Sequence, residues 1–238
     1  RQWSHRGARH PGAVAVVAGL LAYAGLSARN FVGARGMAGI VAHGWIALAS
    51  LVVVVVSALS LAFTYLGWPL FERGSALALH VPFAAYGFMG MLALGLAYIL
   101  VPMFALSPAP DETQVRVSAG LGAVALALAA AAAFVHGHAT ALRIAALVAA
   151  GAAVALHLKL VLLALRTGMR RELGRSFRLV RIAWALLAAS LVLAFAMVVF
   201  PDVALLKTLF GIVLVPGWLL TLVLGMMQRI VPFLASMH

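Results

Sequence analysis

The sequence predicts an all-α fold, a polytopic bundle of about seven transmembrane helices. Hydrophobic residues make up 66% of the 238 residues, charged residues only 9%, and the mean hydropathy is +1.13; these values lie far from those of soluble domains. A helix needs about 20 residues to cross the hydrocarbon core of a bilayer, so seven spans with short connections fill the chain. We therefore expect one transmembrane domain over residues 1–238, in contact with the lipid bilayer, and no soluble domain.

The first three spans are predicted from apolar runs at 13–27, 36–66 and 75–106. The first run follows Pro11 and is barely long enough to cross a membrane. The second ends at Pro69, because proline cannot continue a helix. The third ends in a turn rich in proline, and Asp111 and Glu112 follow it, where their charges favour the positive end of the next helix.

The last four spans are predicted from the runs at 117–135, 142–165, 179–200 and 205–235. The fourth is rich in alanine and closes at the His-Gly-His segment 136–138, where glycine breaks the helix. The fifth ends before Arg166, and the sixth closes at Pro201. Because the chain begins at Arg1 without Met and stops at His238 directly after an apolar run, we expect both ends to be cut.

The distribution of arginine predicts the orientation. Alternation puts the loops around 28–35, 107–116 and 166–181 on one side of the membrane. These loops carry most of the arginines, so the positive-inside rule makes that side cytoplasmic. The arginines before the first span fall on the other side, which contradicts the assignment unless they belong to a longer segment or the first run does not span. We predict a protein of a bacterial cytoplasmic (inner) membrane, and we interpret the net charge of +12 as topology rather than nucleic-acid binding.

The third and seventh helices share a pattern at an interval of 130 residues. The pattern is a glycine followed by an aromatic residue, six residues, a second glycine, five residues and Val-Pro. It runs from Gly87 to Pro102 and again from Gly217 to Pro232. Helices four spans apart run in the same direction, so this is a parallel repeat rather than an inverted one. The alternative is that glycine and aromatic residues are simply common in membrane helices, where small residues favour close packing.

Histidines inside the spans are the main functional candidates, because ionisable residues are rare there. The chain has no Cys, which leaves histidine as the ligand for a metal or haem. His43 and His157 lie at the same predicted depth, roughly 12–14 Å from the cytoplasmic side at 1.5 Å per residue. We therefore expect one b-type haem between them. Arg229 and His238, toward the cytoplasmic end of the seventh helix, are further cofactor-binding candidates, Arg229 as a partner for a haem propionate.

His80 lies near the other side and, with His136 and His138, is a candidate ligand for a second haem or a metal such as copper. For each histidine taken alone, the alternative is a hydrogen bond to a neighbouring helix, and His136 and His138 are also interpreted as interfacial. Lys159 is expected to reach toward the cytoplasmic surface. All five acidic residues lie in predicted loops, which argues against proton pumping.

The third and seventh helices also resemble a known family. The segments are His80-Val-Pro-Phe-Ala-Ala-Tyr-Gly-Phe-Met-Gly-Met, Gly95, Tyr98-Ile-Leu-Val-Pro-Met-Phe104, Gly217-Trp-Leu, Gly225-Met-Met-Gln-Arg-Ile-Val-Pro-Phe233 and His238. They are similar to helices of proteins related to haem-copper oxidase subunit I and of NnrS-type haem-copper membrane proteins. The resemblance implies haem b held by histidines from different helices, copper as a second cofactor, and His80 as the ligand best carried over. The family's adjacent His-His pair is missing and the His-x-His at 136–138 falls in a predicted loop, so a complete oxygen- or nitric-oxide-reducing centre is not expected.

The predicted function is that of a haem-b-binding membrane subunit related to haem-copper oxidase subunit I, in electron transfer or in nitric-oxide or haem-copper handling. We expect it to work in a larger complex with other membrane subunits and an electron-donor protein, as an oxidoreductase or a subunit of one if it is enzymatic. The alternative is a non-catalytic membrane subunit or assembly factor that packs against partner helices through Gly87, Gly90 and Gly95. A solute transporter ranks third, because Pro82 and Pro216 do not align at the 130-residue interval.

Overall fold

The computed structural model describes residues 9–68, 70–170 and 173–236. Within these residues the fold is all helical, and seven continuous helical stretches are long and apolar enough to cross a membrane, so the all-α prediction is confirmed. The elements, with π for a π-helix, are α1 (Arg9–Gly33), α2 (Ala38–Thr64), α3 (Arg73–Pro82), π1 (Phe83–Gly90), α4 (Met91–Ala105), α5 (Glu112–Phe134), α6 (Ala139–Thr167), α7 (Gly174–Val199), α8 (Ala204–Ile212), π2 (Val213–Leu220) and α9 (Thr221–Ala235). The third span consists of α3, π1 and α4, and the seventh of α8, π2 and α9.

The first helix lies at the edge of the bundle. None of the described side chains of α1 is buried, and its main contact is with α2, where the Phe31 ring meets the Trp45 ring edge to face at 6.0 Å between centroids. The helix continues to Gly33, beyond the predicted run at 13–27, because Arg29 and Asn30 are polar but compatible with a helical backbone. The first span therefore faces lipid on most of its surface.

The core of the bundle is built around α4. It packs against both α2 and α6, whereas the backbones of α2 and α6 do not approach each other closely in the described part of the chain. The helices α5 and α6 form a tightly packed hairpin, and α5 also covers α2 and α3. Side chains of α4 therefore contact residues of both α2 and α6.

The two π-helices recur at the interval of the sequence repeat. One begins at Phe83 and the other at Val213, 130 residues later, and each is 8 residues long. A π-helix bonds each N–H to a carbonyl five residues back, which suits segments next to proline, because proline has no N–H and disturbs regular α-helical bonding. Pro82 immediately precedes π1 and Pro216 lies inside π2. The structure therefore supports the repeat that the glycine pattern indicates.

The repeat extends to how each span packs on the span before it. A Cβ placed on Gly95 would lie 2.9 Å from the Cβ of His43 on α2, and one placed on Gly225 would lie 3.0 Å from Cγ2 of Val180 on α7. Real Cβ atoms rarely approach so closely, so glycine favours the close approach of both helix pairs. The chain therefore contains two similar hairpins, α2 with α3–α4 and α7 with α8–α9.

The glycines expected to face a partner protein lie inside the bundle instead. A Cβ on Gly87 would meet Oγ of Ser50 at 2.5 Å, and one on Gly90 would meet Cη2 of Trp218 at 3.1 Å. Gly95 faces α2 in the same way. The expectation that Gly87, Gly90 and Gly95 form a surface for partner helices is wrong, because their small size is used for close approach within the chain.

Asp111 caps the start of α5. Its carboxylate accepts a hydrogen bond of 2.8 Å from the backbone N–H of Gln114, which satisfies one of the free N–H groups at a helix start. We expect Asp111→Ala to lower the free energy of unfolding by about 1 kcal/mol, measured by denaturant unfolding in detergent. Asp202→Ala is the matched control, because Val203 holds the N-cap position of α8. An equal loss in both variants would contradict the capping role.

Candidate ligand site at a buried histidine pair

The structure brings two of the predicted ligands, His43 and His157, into one buried cluster. Both side chains have 0% of their surface exposed. His43 projects from the first turns of α2 and His157 from the second half of α6, the two helices that pack against α4. Their similar depth follows from the sequence, because each lies a few turns from the end of its helix that carries the arginine-rich loops.

Tyr98 of α4 connects the two imidazole rings. Its ring centroid lies 5.5 Å from that of His43 and 5.1 Å from that of His157, both edge to face. The Tyr98 hydroxyl donates a hydrogen bond of 3.1 Å to Oγ of Ser118 on α5, which holds the ring in place. On the far side of His157, the Trp184 ring of α7 lies 5.9 Å away. The four side chains form what we call the histidine cluster: His43, Tyr98, His157 and Trp184.

The hydrogen bonds of His43 define its tautomer. Its Nδ1 lies 2.8 Å from the carbonyl oxygen of Gly39, and a carbonyl can only accept, so Nδ1 carries the proton. The other nitrogen, Nε2, then has a free lone pair. A ligating histidine commonly uses this arrangement, with the second ring nitrogen donating to a backbone carbonyl.

Three ring nitrogens of the cluster lack a partner. Nε2 of His43 and both nitrogens of His157 are buried without a hydrogen bond to any described residue. An unsatisfied buried polar group costs about 1–3 kcal/mol, and native structures hold few of them. Two neutral imidazoles with unused nitrogens, enclosed by aromatic rings, can chemically ligate a metal or a haem iron.

His80 lies apart from this cluster. Its side chain is partly buried on α3, and its Nδ1 is 3.2 Å from Oγ of Ser57. Ser57 follows His43 by 14 residues on α2, which is about 21 Å along the helix axis at 1.5 Å per residue. His80 therefore cannot share a ligand with His43, and its present contact is the cross-helix hydrogen bond that is the alternative role for a membrane histidine.

The other candidate metal ligands are not assembled with His80. His136 and His138 are exposed in a single 3₁₀ turn between α5 and α6. Among the described residues, no group of three or more His, Asp or Glu side chains is placed to hold a metal ion. A metal site made of His80, His136 and His138 together therefore has no support in the geometry.

Arg229 lies beside Phe104, closer than Tyr98 to the end of α4 that leads into an arginine-rich loop. It is partly buried on α9, and its guanidinium carbon lies 5.5 Å from the centroid of the Phe104 ring. Phe104 follows Tyr98 by six residues on α4, about 9 Å along the axis, toward the side with the arginine-rich loops. An arginine at this level suits an anionic group beside the cluster. His238 lies outside the described residues.

Tyr98 and Trp184 are members of the cluster that the sequence analysis does not assign to the site. Tyr98 follows Gly95 by three residues, so the two lie on the same face of the helix, the face that packs on α2. This spacing is the sequence feature that could have assigned Tyr98 to the site. Trp184 has no such signal, because its position depends on how α7 packs on α6. No protein-family model, curated protein or solved structure matches the chain.

Proposed function

We propose that the protein is a membrane subunit that binds b-type haem through His43 and His157. It takes part in electron transfer, or in nitric-oxide or haem-copper handling, within a larger complex of membrane subunits that includes an electron-donor protein. The observation that supports this most is the set of three unpartnered imidazole nitrogens in one fully buried cluster. Apolar packing alone gives no reason to keep two histidines there.

The donor atoms fit the haem. Because Nδ1 of His43 donates to the carbonyl of Gly39, Nε2 keeps a lone pair for a ligand. Neither nitrogen of His157 has a hydrogen-bond partner among the described residues. Haem bound there supplies one-electron redox chemistry. The chain's own contribution is to hold the ring orientations, to keep water out of a fully buried site, and to place Arg229 toward the cytoplasmic end, where a propionate would find a positive charge.

Tyr98 sets a condition on this binding. Its ring contacts both imidazoles, and α4 packs against both helices that carry them. A haem bound through both histidines would need room beside these packed rings, so we expect Tyr98 to move when haem binds.

An optical spectrum tests the proposal directly. The full chain is expressed with haem supplied and purified in a mild detergent, and the reduced-minus-oxidised spectrum is recorded with metal analysis. We expect a b-type haem band at about one haem per chain, because one pair of histidines would hold it. A colourless preparation that is folded by circular dichroism would contradict the proposal. It would favour the alternative, a non-catalytic subunit or assembly factor.

A further inference from the structure

A large cavity begins one helical turn from the histidine cluster, at Val154, Leu94 and Leu187. Its volume is about 470 Å³. On α6 its lining runs from Thr140 to Val154, before His157, and on α4 it includes Met91 and Leu94, before Tyr98. None of the four cluster residues lines it. The cavity therefore adjoins the histidine cluster without including it.

Alanine side chains make the walls of the cavity. The lining residues of this type on α5 and α6 include Ala125, Ala129, Ala132, Ala146, Ala150 and Ala153. Protein interiors hold few voids larger than a water molecule, and ligand pockets have volumes of about 300–1,000 Å³. An apolar space of this size in the core of a helix bundle is thus suited to an apolar occupant.

The two π-helices meet at one wall of the cavity. The Tyr86 ring of π1 stacks on the Trp218 ring of π2 at 5.5 Å and 20°, and both residues line the cavity. The Tyr86 hydroxyl donates to Oγ of Ser190 at 2.9 Å, so it is satisfied within the protein. π-helical turns are frequent at functional sites, and here both of them contribute to the same cavity.

A positive charge stands at the mouth of the cavity. Arg143 and Thr140 line it near the start of α6, and both are exposed. None of the described residues that line the cavity is acidic. A guanidinium group binds carboxylate and phosphate through paired hydrogen bonds. The cavity therefore combines an apolar interior with an anion-binding entrance.

The geometry points to a binding site for an anionic membrane lipid, with one acyl chain in the cavity and the charged head group on Arg143. The site would recognise an acyl chain attached to an anionic group. Phosphatidylglycerol and a free fatty acid both have this feature. This site shares no residue with the histidine cluster, and its test does not require bound haem.

Native mass spectrometry of the delipidated full chain tests the site. Phosphatidylglycerol, phosphatidylcholine and oleate are added separately in a neutral detergent. We expect one phosphatidylglycerol per chain, with a preference of about tenfold over phosphatidylcholine, as one charge-assisted contact provides. Arg143→Gln is expected to remove the preference. Arg166→Gln, at the other end of α6, is the matched control and should keep it.

Variants that fill the cavity test the place of the acyl chain. Ala150→Phe on α6 and Ala129→Phe on α5 each put a ring into the cavity from one wall and should abolish binding of all three lipids. Ala152→Phe is the control, because Ala152 is exposed on α6 and does not line the cavity. Binding of oleate but not of phosphatidylglycerol supports the site with a free fatty acid as the occupant. Equal binding of phosphatidylglycerol and phosphatidylcholine, or unchanged binding in both folded filling variants, would overturn it.

Discussion

Replacing His157 with Ala is expected to remove the b-type haem band from the purified protein. His157 is fully buried and has no described hydrogen-bond partner, so its loss would remove one of the two proposed haem-binding side chains and would break no other polar contact. His43→Ala should have the same effect, since iron held by two histidines loses its low-spin spectrum when either is removed. The measurement is the reduced-minus-oxidised spectrum and the haem content per chain.

His80→Ala is the matched control for these two variants. His80 is also a histidine within a span, but it contacts Ser57, which lies about 21 Å along α2 from His43. Its replacement should leave the band unchanged. Added imidazole should restore part of the band in His157→Ala, because a small ligand can enter the vacated space; a structural role for His157 would give no such rescue. An intact band in either His43→Ala or His157→Ala would refute the shared haem.

Gly95→Leu is expected to lower the free energy of unfolding by about 1–3 kcal/mol, the usual range for overpacking a close contact. Even the Cβ would lie 2.9 Å from the Cβ of His43, so α4 must move away from α2. Since that contact also places His43, the variant should lose haem as well as stability. Thermal unfolding in detergent, followed by circular dichroism, measures the first effect, and the optical spectrum measures the second.

Variants at two other glycines distinguish the loss of stability from the loss of haem. Gly225→Leu crowds Val180 in the second hairpin, so we expect a similar loss of stability with the haem band retained. Gly120→Leu, on α5, is the control for a larger side chain alone, because a Cβ there meets nothing within 4 Å. If Gly95→Leu is as stable as Gly120→Leu, the close contact between α2 and α4 is not as important as the structure indicates.

Hydropathy was sufficient to predict the bundle, because seven long apolar runs are compatible with few structures other than membrane-spanning helices. It could not predict the π-helices, since a change of hydrogen-bond register leaves the apolar character of a span unaltered. It also could not predict the cavity. The alanine-rich run of α5 shows where side chains are small, but only the packing of α5 and α6 decides whether a neighbour fills the space.

The sequence was sufficient to predict the depth of the two histidines in the membrane, but not the arrangement of the side chains around them. Counting residues from the helix ends puts His43 and His157 at one level, and the structure places both beside Tyr98. Which helices are neighbours is set by packing, so the contact of α4 with both α2 and α6 had no sequence signal. The same limit applies to His80, whose distance from His136 and His138 depends on the helices that carry them.

The two hairpins run in the same direction and meet where the rings of Tyr86 and Trp218 stack. In the first hairpin the glycine of α4 faces His43, whereas in the second the equivalent glycine faces Val180. The same close approach of two helices thus leaves room for a ring with a ligating nitrogen in one hairpin and for an apolar side chain in the other.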